Sequence, residues 1–160
     1  MKISILPSIG KNALITSLLA LSVLNYGFKA EMSEQEWLNW SNKCLNGSFN
    51  PTPDINLKKW ELTLTSDYFL RLRKTYQQGK QEYFSFNLHR LTNVGYVGSD
   101  TTGTVKFNTQ ADDIIVQTYE DPEGNIDSMA TTLGLPVHNM NLARFDSLKS
   151  ALNYLRVKSL

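Results

Sequence analysis

Cys44, His89 and His138 are the residues of this chain best suited to covalent or acid–base chemistry. A thiolate activated by an imidazole would make a cysteine hydrolase acting on cell wall or peptide, with Cys44 as nucleophile and either histidine as base. The place of Cys44 argues against that chemistry. It falls late in a predicted helix, where the helix dipole disfavours an anion. It also shares a stripe with Trp37 and Trp40 at spacings of i, i+3 and i+7, so a packed thiol is expected. His89 falls on the polar side of a predicted strand with Ser85 and Asn87. His138 follows Pro136 in a predicted loop. Neither has the spacing of a metal motif, and one cysteine cannot close an internal disulfide. No cofactor or metal is expected. The acidic runs Asp112-Asp113 and Glu120-Asp121-Pro122-Glu123 lack the alternation of a calcium loop, and Asp121 to Gly124 reads as a turn.

Charge is the stronger signal. The whole chain is nearly neutral, with 16 Lys+Arg, 15 Asp+Glu and a formal charge of +1. Its segments are not alike. Residues 58–90 hold Lys58, Lys59, Arg71, Arg73, Lys74, Lys80 and Arg90 against Glu61, Asp67 and Glu82. Residues 100–127 hold Lys106 against Asp100, Asp112, Asp113, Glu120, Asp121, Glu123 and Asp127. A basic sheet surface of Arg71, Arg73, Lys74, His89 and Arg90 is therefore the first candidate binding surface. Asp112, Asp113 and Glu120 form an acidic one. Such asymmetry steers a charged partner. The competing reading is internal, since neighbouring strands of opposite charge attract each other. Aromatic residues among the basic ones, such as Tyr68, Phe69 and Tyr83, permit base stacking on paper. Export argues against nucleic acid, and aromatics at strand spacing serve the core.

Export is read from the first thirty residues. Lys2, Lys11 and Lys29 stand there without an acid, and Ala13 to Leu24 forms an apolar run. That run is short for a membrane span, which takes about 20 apolar residues. A basic start, a short apolar core and Ala30 describe a secretory signal peptide over residues 1–30. Phe28 is a poor residue for the cleavage motif. Cys44 follows Lys43 and lacks the setting for lipid attachment.

Residues 31–160 then make one domain. Ser33-Glu34-Gln35-Glu36 is a capping box, opening a helix expected to reach Asn46 with Gly47 as its left-handed stop. Period-2 alternation follows over Trp60 to Thr65, Tyr68 to Tyr76 and Tyr83 to Leu91, with a hairpin turn at Gln78-Gly79-Lys80. Gly95, Gly98 and Gly103 mark a looser stretch. Thr104 to Phe107 and Ile114 to Tyr119 read as strands. Residues 125–133 are read as a short helix capped by Asp127 and stopped by Gly134 and Pro136. Leu142, Phe145, Leu148, Leu152 and Leu155 define a last amphipathic helix. The expected fold is α+β and two-layered: an N-terminal helix, an antiparallel meander of about five strands, and a C-terminal helix packed on the sheet.

No catalytic constellation emerges, so the sequence points to a small exported, periplasmic or secreted, non-catalytic protein-binding module. An inhibitor, a toxin-immunity protein or a chaperone of envelope or secretion assemblies fits equally. Its partner would be another envelope or secreted protein, with the membrane met only during export. A carrier of a small apolar ligand, held between the sheet and the last helix, is a further reading.

Overall fold

The computed structural model describes residues 32–159. The proposed signal peptide, residues 1–30, lies outside them. Helix α1 (Glu34–Ser48) is followed by β1 (Leu57–Leu64), β2 (Phe69–Tyr76), β3 (Gln81–Asn87) and a 3-10 turn (Leu88–Arg90). Then come β4 (Leu91–Gly98), β5 (Thr102–Thr109), β6 (Ile114–Tyr119), β7 (Asp127–Ala130), β8 (Thr132–His138) and helix α2 (Leu142–Lys158). All strand pairs are antiparallel. They build a five-stranded sheet of order β1-β2-β3-β6-β7 and a three-stranded sheet of order β4-β5-β8. The class is α+β, but the single meander of about five strands becomes eight strands in two sheets.

Register explains how the two sheets are related. Ser85 lies opposite Ile115 between β3 and β6, and Leu91 lies opposite Thr109 between β4 and β5. Residues 81–98 and 102–119 are thus the two arms of one long ribbon, bent in the middle. A third arm, residues 127–138, runs beside the second. Ala130 pairs with Ile114 and Thr132 with Asn108, so residues 109–113 face Thr131 alone. Local chemistry accommodates the bend. The Asn87 side chain accepts the His89 N–H at 3.0 Å, which draws the chain out of the ladder into the 3-10 turn. This ends β3 four residues before the expected strand end at Leu91.

Three expectations are corrected here. The glycine stretch around Gly95 and Gly98 is strand β4, whose partner β5 supplies the pairing that glycine propensity does not favour. Residues 127–130 are strand β7 rather than helix. Asp127 accepts from Gln117 across the ladder instead of capping. Gly134 and Pro136 sit inside β8. A proline is tolerated there because β8 is an edge strand.

The helices share the core between the sheets. The capping box of α1 is present, with Glu36 accepting the Ser33 N–H at 2.7 Å and Ser33 Oγ accepting the Glu36 N–H. Gly47 is not the stop. The helix continues to Ser48 and ends where Phe49 turns extended to bridge Val137 of β8. The buried stripe of α1 is Leu38, Ser41, Cys44, Leu45 and Ser48, with Trp37 and Trp40 at its margin. Helix α2 buries Phe145, Leu148, Ala151, Leu152 and Leu155, while Leu142 is exposed. Between the sheets Phe86 meets Phe107 at 5.7 Å between ring centroids, and both are buried.

That contact joins the two halves of the bent ribbon, so its loss should be felt throughout the domain. Phe107→Ala is expected to lower unfolding free energy by about 3–5 kcal/mol, measured by urea unfolding of the folded domain.

Candidate functional site

Alternation on β2 separates the basic residues that the sequence groups together. Arg71 and Arg73 point to the face of the five-stranded sheet away from the core. Lys74 points to the opposite face and is buried. There its Nζ lies 2.9 and 2.8 Å from the two carboxylate oxygens of Asp54. Tyr76 donates to Glu82 at 2.9 Å beside the same pair. Burial, together with the Glu82 and Asp54 carboxylates, holds the Tyr76 phenol well above its ordinary range. Lys74 therefore anchors the loop before β1 and takes no part in an exposed basic surface.

His89 and Arg90 stand apart from Arg71 and Arg73, at the corner between the sheets. His89 is exposed, its Nδ1 2.8 Å from Asn87 Oδ1. Arg90 closes the corner on Asp113. Its Nε and Nη2 reach Asp113 Oδ1 at 2.9 and 2.8 Å. The Gln110 N–H donates to the Arg90 carbonyl at 3.0 Å, and the Thr109 N–H to Thr131 at 2.9 Å. Two residues expected on separate basic and acidic surfaces are thus one ion pair. Lys80 likewise binds Asp121 at 2.9 Å. Asp112 remains exposed beside the corner. Glu120 is exposed at the end of β6, with a left-handed φ of 52°. Internal pairing thus takes up part of the charge asymmetry, through Arg90–Asp113 and Lys80–Asp121, while Asp100, Asp112, Glu120, Glu123 and Asp127 stay exposed.

What remains outward is the face of the five-stranded sheet. The registers set its side chains in rows. Thr63, Arg71, Ser85, Ile115 and Met129 lie side by side across the five strands. Glu61, Arg73, Tyr83, Gln117 and Asp127 form the next row. Arg71 and Arg73 are exposed, and so is Met129. Arg73 lies over the Tyr83 ring at 5.9 Å, and Arg71 over Phe69 at 5.2 Å. A shallow depression of about 250 Å³ is lined by Glu61, Thr63, Thr65, Arg71, Arg73 and Tyr83.

The arginines divide by use. Arg90 holds Asp113, Arg144 reaches the Cys44 carbonyl at 3.5 Å, and Arg156 donates to the Leu91 carbonyl at 3.0 Å. Arg71 has only a loose approach to Asp67 at 3.8 Å, and Arg73 has no carboxylate within 4.0 Å among the described residues. Ile115 and Met129 were not singled out from the sequence, and Tyr83 was considered only as an aromatic for base stacking. The hairpin at Gly79 does place Tyr83 opposite Arg73, so that neighbour was legible from turn position and alternation.

Cys44 is a buried free thiol near the C-terminal end of α1. It borders a depression of about 320 Å³ with Trp40, Lys43 and Arg144. Neither histidine is hydrogen-bonded to it. His89 takes Asn87, and His138 takes Asn139 at 3.0 Å. Among the described residues no group of three or more His, Cys, Asp or Glu is placed to hold a metal ion. No helix among them is long and apolar enough to cross a membrane. No protein-family model, curated protein or solved structure matches the chain.

The Arg90–Asp113 and Lys80–Asp121 pairs fix a pH dependence. Arg90 holds the Asp113 carboxyl below its ordinary 3.8, aided by the Ala111 N–H. Lys80 and the Glu123 N–H do the same for Asp121, whose ordinary value is also 3.8. A depressed carboxylate stabilises the fold above its unfolded value, and that contribution disappears as pH falls through the folded value. Lys80, raised above 10.5 by Asp121, acts oppositely: its contribution is present below 10.5 and is lost as pH rises through the folded value. Melting temperature is therefore expected to fall below about pH 4, with a shallower acid limb in Asp113→Asn. A thiol probe on the native protein is expected to leave Cys44 unlabelled until denaturant is added. Rapid native labelling would show an accessible thiol instead.

Proposed function

We propose that this protein is an exported, non-catalytic binding module that docks another envelope or secreted protein on the open face of its five-stranded sheet. One observation carries the reading: Arg71 and Arg73, the two arginines free of structural duty, stand beside Tyr83 on that face. Arginine and tyrosine are enriched among the residues that dominate binding energy at protein interfaces. Arginine offers a planar fork of donors, and tyrosine offers area at low entropic cost. Ile115 and Met129 add apolar surface in the neighbouring row. The helices lie against the other side, so docking here needs no rearrangement of the core. An inhibitor, an immunity protein and an assembly chaperone all bind in this way, by complementarity and without chemistry of their own.

Secretion through the leader at residues 1–30 belongs to the same proposal. So does a folded, stable domain that meets its partner outside the cytoplasm.

A photoreactive residue in place of Tyr83 is expected to form a discrete adduct with a partner in envelope extract. Arg71→Glu combined with Arg73→Glu should weaken capture about 10-fold or more. Lys106→Glu, on the exposed side of the other sheet, should leave capture unchanged. Absence of any adduct across a range of salt concentrations would overturn the proposal.

A further inference from the structure

The edges of the two sheets are treated unequally. An open strand edge presents unpaired N–H and C=O groups and invites another strand. The β1 edge is closed by α1. Asn42 donates to the Leu64 carbonyl at 2.7 Å and accepts the Leu64 N–H at 2.8 Å. Asn46 donates to the Leu62 carbonyl at 2.9 Å. The β8 edge is met by the chain leaving α1, where Phe49 bridges Val137 and the Asn50 N–H donates to Pro136 at 2.9 Å. The β4 edge is engaged at its start by Arg156, which donates to the Leu91 carbonyl at 3.0 Å, and α2 packs beside it.

The β7 edge has no such cover among the described residues. Its inner bonds go to β6. The Thr118 N–H donates to Ile126, and the register continues through Val116–Ser128 and Ile114–Ala130. By antiparallel alternation, Asp127 and Met129 turn their N–H and C=O groups outward. Asp127, Ser128 and Met129 are exposed, and Ile126 beside them is 52% exposed. The surroundings are acidic: Glu120, Glu123 and Asp127 are exposed, while the nearby Lys80 is already held by Asp121 and Glu82.

We infer that β7 takes up an extended segment of the partner protein as a sixth strand, and that this segment carries lysine or arginine with an apolar residue beside Met129. The inference rests on the proposed docking role and specifies its mode. Main-chain hydrogen bonds to Asp127 and Met129 supply affinity, and side chains at alternate positions supply selection. The acidic rim complements a basic segment. It also disfavours a second copy of this chain, because two-fold pairing of β7 with itself brings like charges together. The added strand continues the row of Arg71 and Met129, so edge and face form one continuous surface.

The test uses the mature protein and two short synthetic peptides, one alternating lysine with valine and one alternating glutamate with valine. Amide exchange followed by NMR is expected to show slowing at Asp127 and Met129 with the lysine peptide only. Met129→Pro removes one outward N–H without touching the β6 ladder, and it should abolish the slowing. Met129→Ala, which keeps that N–H, should retain most of it. Equal slowing with both peptides, none with either, or slowing that survives Met129→Pro would overturn the inference. A concentration-dependent dimer of the peptide-free protein that protects the same amides would also overturn it. The docking role is judged separately by the Tyr83 adduct. An adduct kept in full by Met129→Pro leaves face docking standing and removes strand addition. Loss of the adduct in Met129→Pro, with the melting temperature unchanged, supports both.

Discussion

The bend in the ribbon formed by residues 81–119 is the constraint on which the rest of the domain depends. A straight ribbon of that length would leave one apolar face to be covered by something else. Bending it turns the faces of the two sheets toward each other, so that Phe86 and Phe107 share one core with the two helices. The bend interrupts three strands at once, which leaves backbone groups without ladder partners, and these must be satisfied if the corner is to be stable. Thr109 meets Thr131, Gln110 meets Arg90, and the Arg90–Asp113 ion pair closes the outside. This charge-assisted bond ties the corner between β3 and β4 to the one between β5 and β6.

Once the corner is set, the fate of most charges follows. Lys80–Asp121, Arg90–Asp113 and Lys74–Asp54 each tie a basic residue of β2, the β2–β3 turn or the corner to an acid of another segment. Two of these bridges join residues 58–90 to 100–127, while Asp100, Asp112, Glu120, Glu123 and Asp127 stay exposed. Arg71 and Arg73 escape because the pleat turns them away from the core, and Glu61, which stands opposite Arg73, is held by Lys59 at 2.7 Å. Edges follow the same logic. Asn42 and Asn46 lie on the side of α1 that meets β1, and their amides substitute for a missing strand. The strand at the opposite end of that sheet from β1, β7, receives no such cover among the described residues.

Much of the secondary structure was legible without coordinates. The capping box at Ser33, the alternation through Trp60–Leu64 and Phe69–Tyr76, the turn at Gly79 and the stripe Phe145–Leu148–Leu152–Leu155 all appear as read. Each depends on neighbours within one or two turns of helix or a few strand residues. The misreadings share a different cause. Gly95, Gly98, Gly134 and Pro136 carry poor intrinsic strand preference, and they are strands because β5 pairs with both flanks. The candidate site was legible in part. Arg71 and Arg73 share a face by alternation alone, while Lys74 belongs with the core by the same rule.

The sequence by itself determined the local devices: where helices begin, which residues alternate, where the first hairpin turns, and which segments carry charge. It determined them because periodicity and capping are short-range, set by the geometry of a single helix or strand. Only the tertiary structure decided that the long ribbon bends, that Arg90 and Asp113 are partners rather than rival surfaces, and that the β7 edge has no cover among the described residues. Those outcomes rest on pairing between residues far apart in the chain, and strand register is chosen by the packing of whole faces rather than by any residue's own preference.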